Sequence, residues 1–116
     1  MFVLHGRSAM NKKRVLIAED EVDICNLLVD IMPCEYVCST VHTGKELYSL
    51  LTGCRNYYDL AIVDIHMPNW NGDEAVDLAI ALGSNTKIVY ISGDYRIDGC
   101  LKKPFTADEL LAAIAS

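Results

Sequence analysis

The sequence predicts a three-layer α/β domain with a parallel sheet at its centre, and three observations carry the prediction. Short, wholly apolar runs, Val15-Leu16-Ile17-Ala18 and Leu60-Ala61-Ile62-Val63, stop abruptly at acids, as strands buried on both faces do. Stretches with helical spacing alternate with these runs along the chain. Proline or glycine stands where several of the helices should stop. Strand–helix alternation marks βαβ units, whose crossovers lay helices on both faces of one sheet.

Residues 1–13 show no periodicity and end in Asn11-Lys12-Lys13, so they read as a leader, with one domain over 14–116. The first strand, Val15 to Ala18, is cut off by Glu19-Asp20-Glu21. Val22 to Met32 has helical spacing, with Ile24, Leu27, Leu28 and Ile31 expected on the buried face and Pro33 just past the end. Tyr36 to Val41 reads as a second strand. Gly44 to Leu51 reads as a helix, with Leu47, Leu50 and Leu51 inward and Gly53 as its stop. Leu60 to Asp64 is a third strand. Gly72 to Leu82 is a helix with Asp73 and Glu74 in its first turn, favourable to the macrodipole, and Gly83 at its end. Lys87 to Ser92 is a fourth strand and Cys100-Leu101-Lys102 a short fifth. Past Pro104, Thr106-Ala107-Asp108-Glu109 is a capping box opening a last helix through Leu110, Leu111 and Ile114.

Composition excludes several functions. A chain of 116 residues has room for one domain, and 52% apolar residues suffice for its core. Sixteen acids against ten bases give a formal charge of −6, which lacks the basic footprint of a nucleic-acid binder. No apolar run approaches the ~18 residues of a membrane span, and the first ten residues hold too short an apolar stretch for a signal peptide. A cytoplasmic protein without membrane or direct nucleic-acid contact is expected. The five cysteines, Cys25, Cys34, Cys38, Cys54 and Cys100, form no C-x-x-C pair. They are read as mostly small buried hydrophobes in a reducing compartment.

In an open parallel sheet the crevice for chemistry lies beyond the carboxyl ends of the strands. The residues found there are Glu19 and Asp20 after the first strand, Asp64 after the third, Ser92 after the fourth and Lys103 after the fifth. Three carboxylates at one edge raise one another's pKa unless a counter-charge intervenes. Oxygen ligands with little nitrogen or sulfur nearby suit Mg²⁺, which favours sites shared with a phosphate. A carboxylate beside such an ion can attack phosphorus and form an acyl phosphate. Ser92 and Lys103 then offer a hydroxyl and a point charge to the phosphoryl oxygens.

The segments Leu16-Ile17-Ala18-Glu19-Asp20-Glu21, Val63-Asp64-Ile65-His66-Met67-Pro68-Asn69-Trp70-Asn71-Gly72 and Leu101-Lys102-Lys103-Pro104-Phe105 resemble the receiver domains of response regulators in bacterial two-component systems and phosphorelays. The likeness covers nearly everything from Arg14 on. It implies a flavodoxin-like doubly wound parallel sheet of five strands in the order 2-1-3-4-5. It also implies Asp64 as phosphoacceptor and Mg²⁺ on Glu19, Asp20, Asp64 and the main-chain carbonyl of His66. Ser92 would move onto the phosphoryl group and Lys103 would pair with it. Met67-Pro68 and Gly72 would shape the loop into the third helix. The implied partners are a histidine kinase or histidine phosphotransfer protein as donor and a downstream protein or domain as target. Such a domain is a phosphoryl-accepting switch and not an enzyme acting on other substrates.

Two departures from the family stand out. Receivers carry Tyr or Phe three residues before the lysine, and here that residue is Cys100, so Tyr90 or Tyr95 would have to take over its surface. Only ten residues separate Ser92 from Lys103, far fewer than the family usually has. A parallel crossover containing a helix needs about a dozen residues or more. Six extended residues span roughly 20 Å, barely enough to retrace a five-residue strand of about 17 Å. The fourth helix is therefore expected to be missing or disordered, leaving part of one sheet face uncovered as a docking or dimer surface. Two other readings compete with a phosphoryl-accepting receiver. One is a pseudoreceiver, a phosphate-independent interaction module, favoured by Cys100 and the short crossover. The other is a small aspartate-nucleophile phosphatase, weakened because His66 stands where a second acid would be.

Overall fold

A computed structural model of the chain describes residues 12–53 and 56–116. Its elements run β1 (Lys13–Ala18), α1 (Val22–Ile31), β2 (Tyr36–Val41), α2 (Gly44–Gly53), β3 (Leu60–Asp64), α3 (Gly72–Ala81), β4 (Lys87–Ser92), β5 (Leu101–Lys102) and α4 (Ala107–Ala115). Residues 1–11 of the expected leader and Cys54 lie outside the described residues, and Lys13 already belongs to β1. The five strands form one sheet in the order β2-β1-β3-β4-β5, every pair parallel. The expected fold class and strand order are therefore those of the protein.

Period-two alternation along the central strands divides the core. Leu16, Ala18, Ala61 and Val63 face one side, where α2 and α3 add Leu47, Leu51, Ala75, Val76 and Ala79. Val15, Ile17, Leu60, Ile62, Val89 and Ile91 face the other, against Cys25 and Leu28 of α1 and Leu110 of α4. Burial on both faces is why β1 and β3 are apolar at every central position.

Several expectations need correction. On α1 the buried face centres on Cys25 and Leu28, while Leu27 is 52% exposed. Leu50 of α2 is half-buried. Among the described cysteines only Cys25 is fully buried; Cys34 is exposed, and Cys38 and Cys100 are intermediate. Cys100 precedes β5 instead of opening it. The missing fourth helix is an error of count, since four helices are present among the described residues. The connection between β4 and β5, residues 93–100, is itself described as turns and bends, with Ile97 N–H donating to Asp94 O at 3.2 Å. No helix among the described residues is long and apolar enough to cross a membrane.

The last helix opens as its sequence foretells. Thr106 Oγ1 accepts from Glu109 N–H at 3.1 Å, and Glu109 Oε1 accepts from Thr106 N–H at 2.8 Å. This cap stands three residues after Lys103 and fixes where β5 ends and α4 begins.

Candidate functional site

β1 and β3 are neighbours in the sheet, but the chain leaves them for opposite faces, β1 for α1 and β3 for α3. That divergence opens a crevice at their carboxyl ends. Glu19, the first residue past β1, is fully buried there. Its backbone is pinned by the end of β2: Glu19 N–H donates to Val41 O at 3.1 Å, and His42 Nδ1 lies 2.8 Å from Glu19 O. Asp64, the last residue of β3, is 4% exposed. Its Oδ1 accepts from His66 N–H at 3.1 Å, and its Oδ2 accepts from Lys103 Nζ at 2.9 Å.

Lys103 bridges the two buried acids, with Nζ also 2.8 Å from Glu19 Oε1. That second approach is an ionic contact outside hydrogen-bond geometry, so Glu19 Oε1 is buried without a directed donor. Glu19 Oε2 accepts from Glu21 N–H at 3.2 Å. Burial pushes the Glu19 carboxyl up to about 7; Lys103 and Glu21 N–H pull the other way, and the nearby Asp64 adds to the rise. For Lys103, burial acts to lower the ammonium's pKa, but Glu19 and Asp64 outweigh it and hold it above its usual value.

Carboxylate oxygens of Glu19, Asp20 and Asp64 lie within 4.8 Å of one another. With all three carboxylates ionised, the one ammonium of Lys103 leaves two negative charges, which a divalent cation would balance. The all-oxygen donor set, with Glu19 Oε1 buried and met only by the ammonium of Lys103, fits Mg²⁺. His66 joins the site through its N–H on Asp64, with its ring outward.

Ser92, the last residue of β4, is fully buried. Its Oγ accepts from Asp94 N–H at 3.0 Å, and its carbonyl accepts from Lys103 N–H at 2.8 Å. The second bond ties the hydroxyl residue to the lysine through the β4–β5 ladder. Every residue singled out at a strand end thus reaches one edge of the sheet.

Two neighbours were not foreseen. His42 follows the second strand, so the strand-end rule would have found it had it been applied there. Asp94 caps Ser92, and its carboxylate takes two bonds from Arg96 Nε and Nη2, each 2.9 Å. Arg96 holds the Asp94 carboxyl well below the usual range. At the position of the family's aromatic switch, Cys100 Sγ donates to Ile97 O at 3.6 Å and lies 3.3 Å from Lys102 Nζ. Of the two tyrosines considered as substitutes, Tyr90 packs half-buried on the α2–α3 side of the sheet and Tyr95 is 84% exposed.

Comparison with known proteins gives a concordant picture. The family model described as response regulator receiver domain matches residues 15–115. Response regulator ArlR of Staphylococcus aureus is 31% identical over 113 residues, which cover 87% of this chain and 50% of the relative. Transcription factor SKN7 of Candida albicans is 29% identical over 115 residues, covering 90% of this chain and 20% of that protein. The chain spans half or less of the length of these relatives, and the likeness extends beyond bacteria. Among solved structures, response regulator protein TrrA of Thermotoga maritima, in complex with Mg²⁺ and BeF, is 27% identical. It has a TM-score of 0.77 and covers 89% of this chain and 96% of that one. The signal receiver domain of a LuxO repressor protein of Vibrio parahaemolyticus has the same fold at 22% identity, with a TM-score of 0.77 over 90% of this chain and 88% of that chain.

Proposed function

The chain belongs to the response regulator receiver domain family, and on that premise we propose that Asp64 accepts a phosphoryl group from a phosphohistidine. The donor is a histidine kinase or histidine phosphotransfer protein, the setting is cytoplasmic, and the product is an acyl phosphate that alters the surface offered to a downstream protein. The observation that carries this reading is the bridge from Lys103 Nζ to Glu19 and Asp64 at the sheet's carboxyl edge.

A carboxylate oxygen of Asp64 attacks phosphorus, and the phosphorus–nitrogen bond breaks with its electron pair left on the donor imidazole. His66 N–H and Lys103 Nζ hold the two oxygens of Asp64 and so fix the plane of the nucleophile. Glu19, Asp20, Asp64 and the His66 carbonyl would hold Mg²⁺, as the comparison with the Mg²⁺ complex of TrrA supports. When bound there, the ion would supply positive charge to the carboxylates and to the incoming phosphoryl oxygens. Lys103 supplies a further charge, and Ser92 a buried hydroxyl within the same edge. The chain promotes its own phosphorylation and dephosphorylation and is not otherwise an enzyme.

The test is intact mass after incubation with Mg²⁺ and acetyl phosphate. A gain of one phosphoryl group, lost in Asp64→Asn, is expected. No gain at any donor concentration would sink the proposal and favour the pseudoreceiver, which Cys100 at the switch position supports. Turnover of unrelated phosphate esters would point instead to a phosphatase.

A further inference from the structure

β4 has a half-empty edge. Six residues long, it pairs along β3 from Lys87 to Ile91, but β5 meets it only at Ile91 and Ser92. Hydrogen bonds of a parallel strand alternate between its two neighbours. Ile91 O accepts from Ile65 N–H on the β3 side, and Ser92 O accepts from Lys103 N–H on the β5 side. Ile88 and Tyr90 therefore present their backbone groups outward. Leu101 N–H can reach Tyr90 O, which leaves the N–H of Tyr90 and both groups of Ile88 with no strand partner among the described residues. An open cleft of about 390 Å³ runs along this stretch, between Gly99 and Cys100 on one side and Ala113 and Ser116 at the end of α4. It lies where a longer β5 would have lain.

The two sides of the slot differ in chemistry. On the side of Val89 and Leu101 the surface is apolar. On the other, Ile88 and Tyr90 form a half-buried floor beside α3, which carries Asp73, Glu74 and Asp77 and no basic residue. Burial first, and then the negative charges of Asp77 and Asp73, push the Tyr90 hydroxyl up to about 12, which sets both acids near it. The lysines of β4 and β5 are engaged: Lys87 Nζ donates to Ile114 O and Ser116 O, and Lys102 Nζ lies against Asp94 O and Cys100 Sγ.

We propose that the outer edge of β4 from Ile88 to Tyr90 is a strand-addition site for an extended segment of a partner protein that alternates basic and small aliphatic side chains. The backbone of the segment satisfies the outward groups of Ile88 and Tyr90. Its basic side chains lie towards Asp73 and Asp77, and its aliphatic ones pack on Val89 and Leu101. Binding here needs no phosphoryl group on Asp64, and the short β4–β5 connection creates the contact surface.

The probe is a blocked (Lys-Val)₃ peptide titrated into the ¹⁵N-labelled, unphosphorylated chain. The amide resonances of Ile88, Tyr90 and Cys100 are expected to shift. With peptide at about ten times its Kd, exchange of the Ile88 and Tyr90 amides slows about tenfold. A (Glu-Val)₃ peptide, or the lysine peptide N-methylated on alternate residues, has no such effect, and Asp77→Asn weakens binding. Ile88→Pro, which removes an outward N–H without touching the β3 ladder, abolishes it; should that variant not fold, the N-methylated peptide makes the same test. Unchanged Ile88 and Tyr90 amides, or equal shifts with the glutamate peptide, would overturn the proposal. So would slow exchange at both amides in the free chain: concentration-independent protection assigns the edge to this chain itself, and concentration-dependent protection to a second copy.

Discussion

When ionised, Glu19 carries its charge where the protein gives it little solvation. It is fully buried, one oxygen lacks a directed donor, and Lys103 is shared with Asp64. In chelator, Glu19→Gln is therefore expected to stabilise the fold by about 1–3 kcal/mol, while weakening Mg²⁺ binding. Thermal denaturation with and without Mg²⁺ checks this; a lower Tm in chelator would show that the Lys103 contact outweighs desolvation. Lys103→Ala has the opposite sign. It leaves two buried acids facing each other and should cost about 3–5 kcal/mol, part of it recovered on adding Mg²⁺. These residues were legible because each stands just past a strand that the sequence marks, so position and charge were visible together. Asp94 and Arg96 were not, since their role depends on the path of a loop that no periodicity describes. Tyr90 supplies a pH dependence. Its folded pKa of about 12 stands above the ordinary tyrosine value of 10.0, so its contribution is fully present below pH 10 and is lost as pH rises towards 12. An absorbance titration should show one tyrosine ionising late, and Tyr90→Phe should remove both the lag and that part of the alkaline instability.

At the level of elements, close backbone approaches place the loops of the site. Gly72 opens α3 with its N–H on Ile65 O at 2.7 Å, and a Cβ there would collide with the carbonyl oxygen of Asp64 and the side chain of Val63. Gly44 opens α2, and a Cβ there would strike the carbonyl oxygens of Trp70 and Asn69. Asn69 and Trp70 both adopt positive φ, 50° and 82°, to bring those carbonyls in; Trp70 then stacks edge-on against Tyr48 at 5.2 Å. Gly72→Ala should cost about 1–3 kcal/mol and, by moving Asp64, reduce acetyl phosphate labelling in the fraction that stays folded. Unaltered Tm and labelling would show that the loop yields freely. The sequence marked Gly72 as the start of a helix but gave little sign of the two positive-φ residues before it: asparagine enters that region readily, whereas tryptophan does so only under tertiary constraint. Leu27 was misassigned for a related reason. Helical spacing identifies an apolar stripe, but the surface it meets selects which part of a broad stripe is buried.

Over the whole molecule, stability should fall from β1 towards β5. β1 is paired on both sides and its residues from Val15 to Ala18 are wholly buried, whereas β5 has two residues, one neighbour and no full burial. The alternation of apolar runs disclosed the sheet, and chain length between Ser92 and Lys103 disclosed the short connection. The start of β5 was set one residue early because Cys100 is apolar enough to extend the run. This gradient matters for signalling, since Lys103 hangs from the weakest strand and reaches across to Asp64 on a strong one. Opening of β5 and α4 short of global unfolding would carry Lys103 away from the acids. In chelator, amides of β1 and β3 should therefore exchange only through global unfolding, while Leu101 and Lys102 exchange through a smaller opening. Phosphorylated Asp64, offering Lys103 more negative charge, should slow the second class selectively. Hydrogen exchange with and without acetyl phosphate and Mg²⁺, using Asp64→Asn as control, measures this. Equal protection across all five strands, or no selective slowing at β5, would show that Lys103 is anchored by the core and not by its bond to Asp64.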